Sequence, residues 1–297
     1  MTESVTRRGT EMRSYYGRPV IKEPVWKAEI PWYLFAGGLG GASSLLSFLA
    51  RKRGNEELAN VSLAVAFAAD VASPIILVSD LGRPERFLNM LRVFKVTSPM
   101  SVGSWVLAAS TALKTAGLGA HLLGRDQTRN ALGGLSALLG LPLATYTGVL
   151  LGDTAVPVWH EARKELPFLF GAGAAASAGA AGALLTKPAH AAPARRLAIS
   201  SALLEAGLKK VMERKLGFVG EVYEQDEAGR YGKLSRGLSL GGAAMLALTG
   251  RTRIGAVLGS SLVLAGSAAM RWSVFKAGFQ SARDPRYTVE PQRAGAP

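Results

Sequence analysis

Two acidic residues lie inside apolar runs of this chain: Asp70 within Leu58–Leu81, and Glu205 within Arg195–Leu216. An ionised carboxylate at membrane depth is costly, so such acids face a bundle interior and mark a proton or ligand path. The plainer alternative for Asp70 is a hydrogen-bonded acid holding a helix kink near Pro74. For Glu205 it is a structural pair with Lys209, one turn on. Tyr146, in Thr145-Tyr146-Thr147-Gly148, offers a neutral hydroxyl donor near a polar–apolar boundary, where ordinary interfacial tyrosines also sit. The densest polar cluster is Asp80-Leu81-Gly82-Arg83-Pro84-Glu85-Arg86-Phe87, followed by Thr97-Ser98-Pro99-Met100-Ser101-Val102-Gly103-Ser104-Trp105. An interfacial connector accounts for its charges and caps, with Asp80 paired to Arg83 or Arg86 and Ser98 capping a helix ahead of Pro99. It does not account for so long a patterned stretch.

What the chain lacks narrows the chemistry. It has no Cys, so it can hold no iron–sulfur cluster and no thiolate zinc site, and cysteine usage says nothing about redox compartment. Of its three His, His121 lies near the end of an apolar run, and His160 and His190 lie in loops. No two face each other at membrane depth, as haem ligation commonly requires. No metal ligand and no catalytic residue is assigned, and any electron transfer uses a cofactor brought from elsewhere. The net charge of +14 sits largely at helix ends, where Lys and Arg anchor spans in the headgroup region. No basic recognition module for nucleic acid accompanies it.

The elements that must position these groups are long and apolar. The 297 residues are 48% hydrophobic and rich in Ala and Gly, small residues that let membrane helices approach closely. A span needs roughly 20 mostly apolar residues. The runs are Pro31–Ala50, Leu58–Leu81, Val102–Leu123, Asn130–Leu151, Pro167–Thr186, Arg195–Leu216, Leu234–Leu248 and Ile254–Phe275. They are too long and too uniformly apolar for barrel strands, and in lipid only helices or closed barrels satisfy the backbone. The expected fold is an all-α polytopic membrane protein of about eight transmembrane helices. Arg195–Leu216 reads either as a buried span with snorkelling lysines or as an amphipathic surface helix. Arg83–Lys95 reads as an amphipathic interfacial helix, with Phe87, Leu88, Leu91 and Phe94 on one face. Gly152–Glu165 reads as a polar loop that places Trp159 and His160 at the membrane surface, and Gly217–Lys233 as a charged loop. Met1–Lys27 contains no apolar h-region, so no cleavable signal peptide is visible and the first span directs insertion.

Glu29-Ile30-Pro31-Trp32-Tyr33-Leu34-Phe35 echoes Glu165-Leu166-Pro167-Phe168-Leu169-Phe170, and each opens a Gly/Ala-rich span. Four helices separate them, which suggests two similarly oriented four-helix units. The expected organisation is a polar N-terminal segment at 1–28 and a first four-helix bundle at 29–151 with the interfacial helix at 83–95. A loop at 152–164, a second four-helix bundle at 165–276 and a polar C-terminal tail at 277–297 complete it.

The run from Asp80 to Trp105 resembles the signature of the NrfD/PsrC family, the membrane subunits of polysulfide-reductase-type complexes. The Gly-rich start, Trp32-Tyr33-Leu34-Phe35-Ala36-Gly37-Gly38-Leu39-Gly40-Gly41, is similar to that family's first span. So is the end, from Arg271-Trp272 through Ala277-Gly278 to Ser281-Ala282-Arg283-Asp284-Pro285. The resemblance covers nearly the whole chain, and the Asp80–Trp105 stretch is its specific part.

The resemblance implies eight helices in two bundles, a quinone (menaquinone or ubiquinone) site in the first bundle, and no haem or cluster in this chain. It implies a ferredoxin-like iron–sulfur partner subunit, usually attached to a molybdopterin-type catalytic subunit, in the cell inner (plasma) membrane. Tyr146 matches a position whose hydroxyl bonds a quinone carbonyl. Glu29 and Trp32 fall where some relatives carry Asn and His. This chain departs there, and because Trp accepts no proton, proton exchange falls to Glu29 or water. Asp80 and Arg83 would line the pocket or organise its mouth, Asp70 and Glu205 would serve proton movement, and Arg86, Arg92 and Lys95 would dock an acidic partner surface or lipid headgroups. The function expected is a membrane anchor exchanging electrons between the iron–sulfur subunit and the quinone pool. The rivals are a proton or solute transporter, which would use the same buried acids, and a purely structural anchor. An even number of spans puts both termini on the docking side, which leans cytoplasmic by its Lys and Arg. The opposite loops are short and all basic, so the positive-inside rule is nearly silent.

Overall fold

The computed structural model describes residues 20–294, apart from Leu81, Gly82, Pro84 and Arg86. Eight long helices dominate the described residues: α1 Glu29–Lys52, α2 Glu56–Asp80, α3 Pro99–Leu122, α4 Asp126–Gly152, α5 Leu166–Leu185, α6 Ala192–Leu216, α7 Asp226–Thr249 and α8 Arg253–Arg283. Five of them, α1, α2, α4, α5 and α8, are long and apolar enough to cross a membrane. The other three are of similar length but carry polar groups that they bury against neighbouring helices: Lys114 on α3, Glu205 and Lys209 on α6, Ser235 and Ser239 on α7. The chain is an all-α polytopic membrane protein.

Helix ends follow local chemistry. Glu29 opens α1 and Arg51 and Lys52 close it, each on the favourable end of the helix dipole. Gly54 (φ 74°) and Gly124 (φ 67°) take the left-handed conformation that the tight α1–α2 and α3–α4 turns demand. Ser98 caps α3 by accepting from Ser101 N at 3.4 Å, with Pro99 in the first turn, as the sequence suggested.

Helix α1 packs on α2 and α4, and α3 packs on α4 and, more loosely, on α2. In the second half α5 packs on α6 and α8, and α7 on α6 and α8. Helices α1 and α4 meet α5, and α1 also meets α8, so α1 and α5 form the seam between the halves. Small residues make these approaches possible: a Cβ on Gly41 would lie 2.5 Å from the Gly140 carbonyl and 2.8 Å from Ala144 N.

Several expectations change. Between α2 and α3 the described helix is Phe87–Met90, well short of 83–95. The Ser101 hydroxyl accepts from Lys95 N (3.0 Å) and donates to the Val93 carbonyl (3.1 Å), so backbone groups there are satisfied without a helix. Trp159 is not at the surface. It sits in a short helix, Pro157–Glu161, fully buried, stacked on Trp26 (5.4 Å), with its indole N–H donating to the Val274 carbonyl at 2.7 Å. The stretch 217–233 is a 3-10 helix, Gly217–Glu224, followed by the start of α7, where Asp226 and Glu227 suit the helix N-terminus. Helix α8 runs on to Arg283, and Arg286–Ala294 is helical. Helix α6, where 195–216 lies, encloses one face, with Ala194, Ala198, Ala202, Glu205, Lys209 and Met212, while Leu203, Leu204 and Val211 are exposed, and Lys209 does not snorkel but lies enclosed against Glu213.

Candidate functional site

The up-and-down course of α1 to α4 brings the start of α1, the end of α2, the start of α3 and the end of α4 to one end of the first bundle. Tyr146 lies there, six residues past the Gly41–Gly140 crossing. It is 9% exposed, and its hydroxyl has no hydrogen-bond partner among the described residues. Its ring occupies the space that a side chain at Gly103 of α3 would take. An unpaired buried hydroxyl costs about 1–3 kcal/mol, so this one is available to a ligand or water.

Glu29, at the first position of α1, is half-buried at the same end. Asp80 accepts a hydrogen bond from Lys27 N at 3.2 Å, tying the end of α2 to the chain just ahead of α1. Among the described residues no ion pair joins Asp80 to Arg83, which is exposed. Arg86 lies outside the described residues. Arg92 and Lys95 are exposed beyond the short helix.

Trp32 does not join this group. Nine residues at roughly 100° each place it on the side of α1 opposite Gly41, which faces α4. It is 48% exposed and meets Trp272 of α8 edge-on, with centroids 6.3 Å apart.

Deeper in the first bundle, Asp70 of α2 and Lys114 of α3 form an ion pair with neither side chain exposed. Lys114 Nζ also donates to Ser110 Oγ at 3.0 Å, and Ser110 Oγ donates to Asp70 Oδ2 at 2.8 Å. Asp70 Oδ1 has no partner among the described residues and fills the space left by the missing side chain of Gly40. Sequence reasoning picked out Asp70 but missed Lys114. The available signal was a lone lysine in the middle of the apolar run 102–123.

The second bundle repeats the theme with different parts. Glu205 of α6 and Arg271 of α8 are each 1% exposed, with Arg271 Nη1 3.6 Å from Glu205 Oε1. Arg271 Nη2 donates to the Phe170 carbonyl at 2.9 Å, its guanidinium lies 4.1 Å from the Phe170 ring centre, and Ser267 Oγ donates to Glu205 Oε2 at 3.3 Å. Glu205 Oε1 packs where a side chain at Gly173 of α5 would stand, as Asp70 does at Gly40 of α1. Lys209 is not the partner that spacing suggested. It lies 3.4 Å from Glu213 Oε1, one turn the other way, and 5.6 Å from the Tyr223 ring centre. Each bundle therefore buries a carboxylate from its second helix against a glycine of its first, with the compensating cation drawn from a later helix.

Such groups can hold a polar ligand at the membrane boundary and can exchange protons within the apolar interior. No curated protein matches the chain. The family model described as polysulphide reductase, NrfD, matches residues 19–214, which spans the first bundle, α5 and nearly all of α6. That match covers the patterned stretch 80–105, Tyr146 and both buried acids, while Arg271 and the stretch up to Pro285 lie beyond it. That family consists of membrane subunits of oxidoreductase complexes which generally interact with quinone. This polytopic, cysteine-free chain belongs to the NrfD polysulphide reductase family.

Proposed function

We propose that this chain is the quinone-reactive anchor of a respiratory oxidoreductase in the cell inner membrane. It would exchange electrons between an iron–sulfur subunit, joined to a molybdopterin-type catalytic subunit, and the quinone pool. The observation that carries the reading is the buried Tyr146 hydroxyl, without a hydrogen-bond partner among the described residues, at the polar end of the first bundle. When bound, a quinone supplies two-electron, two-proton chemistry. Tyr146 would donate its hydroxyl proton in a hydrogen bond to a carbonyl oxygen and fix the ring's orientation. Glu29, half-buried at the same end, would exchange protons with the bulk, and Asp80 would hold the start of α1 in place through Lys27. The departure at Trp32 fits this division of labour: turned toward Trp272, it packs the seam and takes no part in proton exchange.

The buried pairs support proton movement. Asp70 Oδ1 has no partner among the described residues beside Gly40, so that carboxyl keeps one oxygen free to take up a proton, whereas Glu205 Oε1, beside Gly173, faces Arg271 Nη1 at 3.6 Å. Exposed Arg83, Arg92 and Lys95 would face an acidic partner surface.

The test is Tyr146→Phe in the assembled complex. Removing one hydrogen bond to a bound carbonyl lowers quinol-dependent electron transfer about tenfold or more, while subunit co-purification stays unchanged. Full activity in that variant refutes the assignment of Tyr146, and co-purification without any cluster-bearing subunit refutes the wider reading.

A further inference from the structure

At the end of the first bundle opposite Tyr146, all four of its helices line a cavity of about 280 Å³, close to the lower limit of roughly 300 Å³ for small-ligand sites. Four cations line it: Arg51 and Lys52 of α1, Lys114 of α3 and Arg129 of α4. Three carboxylates answer them among the described residues. Glu56 lies 3.5 Å from Arg51 Nε, Asp126 lies 3.0 Å from Arg129 Nη2, and Asp70 pairs with Lys114. The charge left over is that of Lys52, an exposed residue at the rim of the cavity whose ammonium lies 5.6 Å from the Phe48 ring centre.

The donors are set in advance. Arg51 Nη2 donates to Asn60 Oδ1 at 2.8 Å, and Arg129 Nη1 lies 3.0 Å from His121 Nδ1, so both guanidinium planes are fixed. Among the described residues Arg129 Nε makes no hydrogen bond, and neither does the Ser136 hydroxyl, which lines the cavity and is 3% exposed, while Arg51 Nε has only the 3.5 Å ion pair with Glu56. Two forked cations, a free buried hydroxyl and a single surplus charge match an oxyanion bearing one negative charge. The cavity lies at the helix ends, beside Arg51-Lys52-Arg53 and Arg125, basic residues of the kind that anchor spans in the headgroup region.

We propose that this cavity binds a phosphate-type monoanion, either the phosphodiester of an anionic phospholipid or free phosphate entering from water. The proposal is independent of the electron-transfer reading.

The test uses the full chain in nanodiscs of phosphatidylcholine, with phosphatidylglycerol added in one arm and inorganic phosphate in the other, and reads the thermal midpoint. A ligand that binds only the folded state raises it. A rise with phosphatidylglycerol alone identifies a lipid headgroup, and a rise with inorganic phosphate identifies the free anion. Either supports the site, provided that apparent affinity falls at least about tenfold in the double variant Arg51→Gln/Arg129→Gln, the loss of ~1.4 kcal/mol expected for a charge-assisted hydrogen bond. Gly133→Leu is the second variant. A Cβ at Gly133 meets nothing within 4 Å, so the leucine fills the cavity without removing any charge or helix contact. No rise with either probe, or a rise undiminished in Gly133→Leu, overturns the proposal.

Discussion

Lys114 donates to Asp70 inside the first bundle, and neither side chain reaches solvent. Taking two charges out of water is expensive, and removing one partner strands the other. Lys114→Met therefore destabilises the protein by about 3–5 kcal/mol, seen as a large drop in the thermal midpoint in mild detergent. The matched pair Asp70→Asn/Lys114→Met recovers most of that loss, because an uncharged pair of similar shape avoids the cost of taking ions out of water. Proton-coupled turnover of the complex separates the roles: the double variant regains stability but not proton coupling. If it regains both, the pair is only structural.

The seam between α1 and α4 makes a second, purely steric prediction. A methyl group at Gly41 would lie 2.5 Å from the Gly140 carbonyl, which belongs to helix backbone and cannot swing away. Gly41→Ala separates the helices and costs about 1–3 kcal/mol. Gly237→Ala on α7 is the control. No atom lies within 4 Å of a Cβ there, so only the gain in helix propensity remains, up to about 1 kcal/mol. Thermal midpoints that move in opposite directions confirm the reading, and a neutral Gly41→Ala rejects it.

These pairs also show what the sequence could convey. An acid in an apolar run announces a buried charge, because lipid tolerates no other kind, and both Asp70 and Glu205 are buried. The partner is decided by which helix stands opposite. Lys209 was the local candidate for Glu205, but Arg271, 66 positions away, reaches it instead. Helix existence was legible from apolar length, yet α7 begins eight residues before its apolar run, since Asp226 and Glu227 favour a helix start that hydropathy overlooks. Trp159 was misplaced because a tryptophan in a polar loop looks interfacial. Only the fold brings Trp26, Val274 and Gly278 around it. Likewise, the spacing of Trp32 from Gly41 could have shown that it faces away from α4, had the crossing point been known.

The Trp159 pocket gives a third prediction. Its indole N–H donates to the Val274 carbonyl at 2.7 Å, and its ring occupies the space above Gly278. Trp159→Phe loses that hydrogen bond and leaves part of the ring volume empty, a cost of about 1–3 kcal/mol. Gly278→Ala pushes the same ring out of place. Both variants lower the thermal midpoint and increase acrylamide quenching of the tryptophan fluorescence, through loosening of the neighbouring Trp26. Unchanged quenching in Gly278→Ala would mean that the ring does not rest there.

The N-terminal segment is fastened at the opposite end of the chain. Arg283 grips Glu23 through two hydrogen bonds, Nε to Oε1 at 2.8 Å and Nη2 to Oε2 at 3.2 Å. Those bonds hold the Glu23 carboxyl below its ordinary value of 4.5. A lowered folded value means that the pair contributes in full above pH 4.5 and is lost as pH falls through the lower, folded value. Both side chains are more than a third exposed, so the contribution is that of a surface pair and salt weakens it. Hydrogen exchange over residues 20–28, corrected for intrinsic rates, should therefore show protection at neutral pH that falls a few-fold below pH 4. In Glu23→Gln the same segment should be less protected at neutral pH and insensitive to further acidification. A wild-type segment whose protection stays constant through that range would show that the Trp26–Trp159 stack, and not the ion pair, holds it down.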